Sequence, residues 1–200
     1  VTKIETLSDT VVATEGFLTL VKRAVRVDSA VVERHIVLHP GAVVVIPLMA
    51  DGRMLFVRQF RSAVGETVLE FPAGKRDVVG ERKEVTATRE LAEECGLTAR
   101  VLTDLGEIYN SPGFTNETTE IFVATGLAKV SRQPDSPEES AMEFVVLDSA
   151  QLAQTIERGE LKDGKSLVAL LWLQRWLGEN GARQEQDSQE VQEWLVSLTP

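Results

Sequence analysis

Cysteine is almost missing from this chain. Cys95 is the only one in 200 residues, so no intrachain disulfide can form, and a reducing cytoplasm is the expected compartment. Histidine is nearly as scarce. His35 and His39 are the only two, which argues against a histidine-rich metal site or a Ser-His-Asp triad. Positive charge is also short, with 21 Lys and Arg against 31 Asp and Glu and a net charge of -10. Such a surface repels polyanions, so no nucleic-acid polymer is expected as a partner. A small anionic substrate stays compatible where metal ions offset the local charge. Long apolar runs are lacking too. Residues 42–49 (AVVVIPLM) fall far short of a bilayer span, and no membrane partner is expected. The segment VTKIETLSDT has neither the basic start nor the apolar run of a signal peptide. What remains is a 43% hydrophobic composition, enough for one core or a core with a small accessory unit.

The pattern along the chain starts with strands. Residues 17–27 and 31–38 are rich in β-branched and apolar side chains, and the polar DSA between them reads as a hairpin turn. His39-Pro40-Gly41 breaks the pattern, and His39 reads as structural. Residues 42–49 suit a strand covered on both faces. Asp51-Gly52 marks a hairpin turn into 54–60, and 67–71 is a short strand stopped by Pro72-Ala73-Gly74. Residues 82–95 form the first clear helix, with Gly96 as its C-terminal cap. Strands return at 101–109 and 118–124 around the loop 110–117. Residues 131–140 read as a mobile loop and 142–147 as a strand. Asp148 is a plausible cap for the helix that follows, and 166–177 is a buried helix. The polar tail carries one amphipathic piece at 191–198. The order implies an N-terminal β unit of about 40 residues, too small to hold a core alone, joined to an α/β sandwich.

The chemistry concentrates on residues 82–95. At about 100° per residue, Val85, Thr88, Leu91, Ala92 and Cys95 share one side of the helix, and Glu90, Glu93 and Glu94 the other. Glu90 and Glu94 are four apart. Like charges at that spacing destabilise a bare helix by roughly 0.2–0.5 kcal/mol. A hard divalent cation reverses that penalty, because Mg²⁺ prefers carboxylate oxygen. On its own, the acidic face reads first as a solvated surface. The preceding Phe-Pro-Ala-Gly turn shifts the balance, since a tight turn can aim backbone groups at the same space as the carboxylates. Arg89 stands beside the cluster as a possible anchor for one of them.

Gly74, Glu81 and the run Arg89-Glu90-Leu91-Ala92-Glu93-Glu94-Cys95-Gly96-Leu97 resemble the signature box of the Nudix hydrolases. One departure is visible. Six residues separate Gly74 from Glu81, one more than the family usually has, and loop insertions of this kind are cheap. The resemblance covers most of the chain. Val57-Arg58-Gln59-Phe60-Arg61, Glu70-Phe71-Pro72-Ala73-Gly74, Ser111-Pro112-Gly113-Phe114-Thr115, the Glu138-Glu139 pair and GELKDGKSLVALL are similar to the ADP-ribose pyrophosphatase branch.

That resemblance implies a Nudix α/β/α sandwich, a mixed sheet between helices, spanning 41–178. A small antiparallel β unit over 1–40 precedes it and a polar tail over 179–200 follows. It implies Mg²⁺, with Mn²⁺ as a substitute, held by Glu90, Glu93, Glu94 and the Ala73 carbonyl. Arg61, Glu70, Gly74, Pro112 and Gly113 are implied to contact substrate, and Glu81, Arg89 and Gly96 to shape the box. A general base is implied in the late loop, Glu139 ahead of Glu138, with Glu93 a further catalytic candidate. The implied reaction converts ADP-ribose to AMP and ribose 5-phosphate in a homodimer, with adenine bound near the interface. Another substrate, such as GDP-mannose or a dinucleoside polyphosphate, is the nearest alternative. A non-catalytic nucleotide sensor is the alternative of a different class.

Overall fold

A computed structural model describes residues 2–180 of the chain. The first three strands, β1 (Ile4–Glu15), β2 (Leu18–Val27) and β3 (Ala30–Leu38), form an antiparallel sheet in that order. β1 was not legible in the sequence. Every one of its residues is exposed, so it shows no buried-face alternation. The turn from β2 to β3 uses two residues, with Asp28 in the left-handed region at φ 53°, a conformation that aspartate tolerates better than most. Val21 is the one buried residue of the three strands.

Two further sheets build the sandwich. Strands β4 (Ala42–Pro47), β5 (Met54–Arg61), β6 (Glu66–Glu70) and β7 (Ala73–Lys75) precede helix α1 (Lys83–Cys95). β8 (Leu97–Tyr109), β9 (Thr118–Lys129), α2 (Pro137–Ser140), β10 (Glu143–Leu147), α3 (Ser149–Glu157) and α4 (Gly164–Asn180) follow. One sheet runs β7-β4-β9-β8, with β4 and β9 parallel and the other pairs antiparallel; the second runs β10-β5-β6.

Alternation along the central strands assigns the two cores. Val43, Val45, Leu55, Val57, Phe122 and Ala124 point to the side of α1, where Ala87, Leu91 and Cys95 meet them. Val44, Ile46, Met54, Phe56, Ile121 and Val123 point the other way, against Leu152, Ala169 and Leu173 of α3 and α4. A strand with both faces buried must read as a continuous apolar run, and β4 does. The class is α/β, with mixed sheet between helices.

Several boundaries differ from the sequence reading. β7 occupies the stretch read as a strand-stopping turn. β8 begins at Leu97 and β9 runs on to Lys129. The segment read as a mobile loop contains α2, capped by Ser136 accepting from Glu139 N–H. Asp148 does cap α3, in a reciprocal pair with Gln151. α4 continues to Asn180, past the boundary expected at 178, while the amphipathic piece at 191–198 lies outside the described residues. The N-terminal sheet is tied to the sandwich by the 110–117 loop: Val37 N–H donates to Phe114 O at 2.8 Å, and His39 N–H to Asn116 Oδ1 at 2.8 Å.

Candidate active site

The turn after β6 organises the site. Phe71 is fully buried against Phe56, with ring centroids 4.2 Å apart. Its N–H donates to the buried Ser166 Oγ at 2.9 Å, fixing the turn to the start of α4. Val45 N–H donates to Pro72 O at 2.9 Å and steers the chain along β4 as β7. Ala73 N–H faces away from β4 and donates to Glu94 Oε2 at 3.0 Å. In extended backbone the N–H and C=O of one residue share a side, so the Ala73 carbonyl opens toward the same carboxylate.

Gly74 is required here by close approach. A Cβ at this position would overlap the Glu90 carboxylate. The helix thus presses its acids onto bare backbone. Glu90 and Glu94 are 8% and 4% exposed, so they belong to the inward face with Thr86, Ala87, Leu91 and Cys95. This corrects the helical wheel: Val85 and Thr88 point outward, and the buried face is rotated toward the acids.

Burial sets the electrostatics. It pushes the Glu94 carboxyl up to about 8, with Glu90 and Glu139 adding repulsion against the pull of the Ala73 N–H and Arg61. It pushes Glu90 up to about 7, against the pull of the Arg89 guanidinium. Arg89 contacts Glu90 Oε1 at 2.9 Å, Glu93 Oε2 at 2.8 Å and Glu81 Oε2 at 3.3 Å. Glu81 also accepts from Thr86 Oγ1 at 2.8 Å. The additional residue before Glu81 is absorbed in the turn at 78–81, where Gly80 has φ 79° and Glu81 N–H reaches Val78 O.

Among the described residues no three Asp, Glu, His or Cys side chains stand close enough, as placed, to hold a metal ion. Arg89 Nη1 lies against both Glu90 and Glu93, and two buried acids resist approach without a counter-charge. The donors that face one another, Glu90, Glu94 and the Ala73 carbonyl, are all hard oxygens on a glycine-floored cradle. That set suits a hard divalent cation. Glu93 borders them, sharing Arg89 Nη1 with Glu90.

A cleft of about 520 Å³ opens in front of this cradle, within the usual range for small-molecule sites. Arg61 and Lys165 line one wall, and Glu139, Ser136 and Asp135 another. Arg61 donates to both Glu70 oxygens, at 2.6 and 2.9 Å, and Lys165 Nζ lies 3.5 Å from Glu70 Oε2. Glu70 is only 2% exposed. It braces Arg61 and lies outside the cleft lining, while Lys165 Nζ is held mainly by Asp163 Oδ1 at 2.6 Å.

Glu138 lies in a different concavity with Arg58 and Phe60, while Glu139 alone of the pair lines the cleft. Pro112 and Gly113 are exposed and outside the cleft lining, and their loop clips β3. Gly96 adopts φ 64° and returns its N–H to Ala92 O, closing α1. Sequence reasoning missed Phe17, Gln59, Lys75, Glu117 and Lys165 in the lining. Gln59 and Lys165 sat in stretches already singled out, but without a role of their own. Phe17 reaches the cleft through the fold-back of the first hairpin, which leaves no local signal.

Comparison with known proteins fits this geometry. The family model described as the NUDIX domain matches residues 38–170. The ADP-ribose pyrophosphatase of Bacillus subtilis (strain 168) is 37% identical over 142 residues, 71% of this chain and 76% of that protein. The ADP-ribose pyrophosphatase of Mycobacterium tuberculosis (strain ATCC 25618 / H37Rv) is 34% identical over 168 residues, 84% of this chain and 81% of that one. The crystal structure of an ADP compounds hydrolase superposes with a TM-score of 0.77 at 26% identity, covering 90% of this chain and 97% of that one.

Two outcomes follow from the cradle. Gly74→Ala should weaken divalent-cation binding on the order of tenfold to a hundredfold, by displacing Glu90; calorimetric titration showing unchanged affinity would contradict the close approach. The second concerns pH. The folded, metal-free protein keeps protons on Glu90 and Glu94 that the unfolded chain releases near the ordinary value of 4.5. These two groups therefore lower stability as pH climbs from there toward about 8. Glu94→Gln should make the metal-free protein more stable than the parent at pH 8 by on the order of 1–3 kcal/mol, and nearly equal to it at pH 5. Urea unfolding at the two pH values checks this, and no gain at pH 8 would contradict it.

Proposed function

The chain belongs to the NUDIX family of hydrolases, and from that footing we propose that it hydrolyses ADP-ribose to AMP and ribose 5-phosphate with Mg²⁺, for which Mn²⁺ can substitute. The observation that carries this reading is one cleft lined by two buried glutamates on a backbone cradle together with the Arg61 and Lys165 cations. The family generally uses a divalent metal. The names of the two relatives, both ADP-ribose pyrophosphatases at 34–37% identity, support the substrate.

A diphosphate resists water because its charges repel a nucleophile. When bound, the cation supplies neutralisation of that charge and makes water a better nucleophile. Glu90 and Glu94 would hold it, with the Ala73 carbonyl. Glu93 joins only if Arg89 releases it. The Arg61 N–H groups left over from Glu70, and Lys165 Nζ, bind diphosphate oxygens. Glu139 accepts the proton of the attacking water as the new P–O bond forms and the bridging P–O bond breaks. Its Oε2 is oriented by the Asp135 N–H at 2.7 Å. Phe17, at the cleft mouth and edge-on to His39 at 5.2 Å, offers a flat face to the base.

We also read the N-terminal unit, residues 1–40, as a dimerisation element. β1 exposes Ile4, Val11 and Val12, and β3 exposes Val31. A three-stranded sheet with so little of it covered gains from a second copy of the chain. No helix among the described residues is long and apolar enough to cross a membrane. A cytoplasmic setting rests on the single buried thiol, Cys95.

Glu139→Gln should lower kcat by about a hundredfold or more at saturating Mg²⁺, while Glu138→Gln leaves it nearly unchanged. A comparison on ADP-ribose, with products identified by mass, decides this. An unaffected Glu139→Gln removes the base assignment. Faster turnover of GDP-mannose replaces the substrate, and tight ADP-ribose binding without turnover favours a sensor.

A further inference from the structure

The short helix α2 carries Glu139 yet has no buried residue of its own. Its internal hydrogen bonds shape the turn: Ser136 Oγ accepts from Glu139 N–H at 3.1 Å, and Ser140 Oγ donates to Ser136 O at 3.0 Å. They do not place the turn relative to the metal cradle. Behind it lies an open concavity of about 410 Å³ between Pro137, Glu138 and Ala141 on one side and Arg58, Phe60 and Thr67 of β5 and β6 on the other. The carrier of the base therefore stands off the sheet without an apolar footing.

One side chain bridges the gap to α1. Arg132 Nε donates to the Glu94 backbone carbonyl at 2.5 Å, and its Nη2 donates to the Glu139 backbone carbonyl. Its guanidinium lies 5.1 Å from the centroid of the Phe144 ring on β10, which supports it from below. Glu94 O is one of the last carbonyls of α1, left without a partner inside the helix, where a cation is favoured. Gly96 makes room for this arrangement, since a Cβ there would stand 3.1 Å from Arg132 Cβ.

We infer that Arg132 is a positioning residue: its planar fork ties the backbone of a metal-holding glutamate to the backbone of the base, and so sets the distance between cradle and base. The inference rests on the reading of Glu139 as base given above. Arg132 touches the main chain of both residues and neither carboxylate, so its action is geometric. A lysine has one donor point and cannot span both carbonyls as the fork does.

The test is a double-mutant cycle in the full-length protein with Arg132→Ala and Glu139→Gln, measuring kcat, KM and Mg²⁺ half-saturation on ADP-ribose. A misplacement of about 1 Å at a reacting group costs on the order of a hundredfold. Arg132→Ala should therefore lose about tenfold to a hundredfold in kcat, with KM and Mg²⁺ half-saturation within about twofold. In the Glu139→Gln background it should add almost nothing, because there is no base left to place. Arg132→Lys should recover less than half of the loss. If the two substitutions multiply, or if Arg132→Ala changes KM or Mg²⁺ affinity as much as kcat, the positioning role is wrong. If Glu139→Gln alone has no effect, the base assignment fails first, and the two failures are thereby told apart. Should Arg132→Ala lower the unfolding midpoint, Arg132→Met, which keeps the stem against Phe144, serves in the same cycle with the same outcomes.

Discussion

Two glutamates are pushed into the protein interior against a strand that carries no side chain at the point of contact, and the rest of the molecule is arranged around that contact. Glu90 lies on Gly74, and Glu94 takes the Ala73 N–H. Neither arrangement survives a shift of α1 or of β7 by an ångström. The apolar packing of Ala87, Leu91 and Cys95 on β4, β5 and β9 fixes the helix. The β4 ladder and the Phe71–Ser166 hydrogen bond fix the strand from the other core. Both layers of the sandwich therefore serve one contact.

Such a contact is unfavourable in isolation. Burying carboxylates without an adequate counter-charge drives them to keep their protons, and both are pushed up toward neutrality for that reason. A cation that replaces those protons recovers the lost free energy, so stability forgone in the metal-free fold becomes affinity. The surrounding cations are graded to match. Arg89 is committed to three acids, Glu81, Glu90 and Glu93. Arg61 is braced by Glu70 and Lys165 by Asp163, and both cations line the cleft.

Much of this was legible in the chain itself. The spacing of Gly74, Glu81, Arg89, Glu90, Glu94 and Gly96 stated which residues would meet, and the continuous run of β4 announced a strand buried on both faces. What escaped notice depended on contacts remote in sequence. The wheel took the acids for the outer face, because amphipathic patterning assumes that charge faces water, and the buried Glu90 and Glu94 break that assumption. The bracing of Arg61 by the buried Glu70 was not legible either, because an acid beside the box has no sequence mark of burial. Nothing local in Pro112-Gly113 announced that their loop also holds the N-terminal sheet. β1 and Phe17 gave no periodic signal, the first because neither face is covered, the second because a hairpin reversal brings it to the cleft.

The claim that the buried pair is a cation cradle is tested most directly by crystals grown with Mn²⁺ and examined by anomalous diffraction. The account predicts an anomalous peak bonded to the Glu90 and Glu94 carboxylates and to the Ala73 carbonyl oxygen, with Gly74 beneath. A peak elsewhere, or none at that position while the protein is saturated with Mn²⁺, would contradict it.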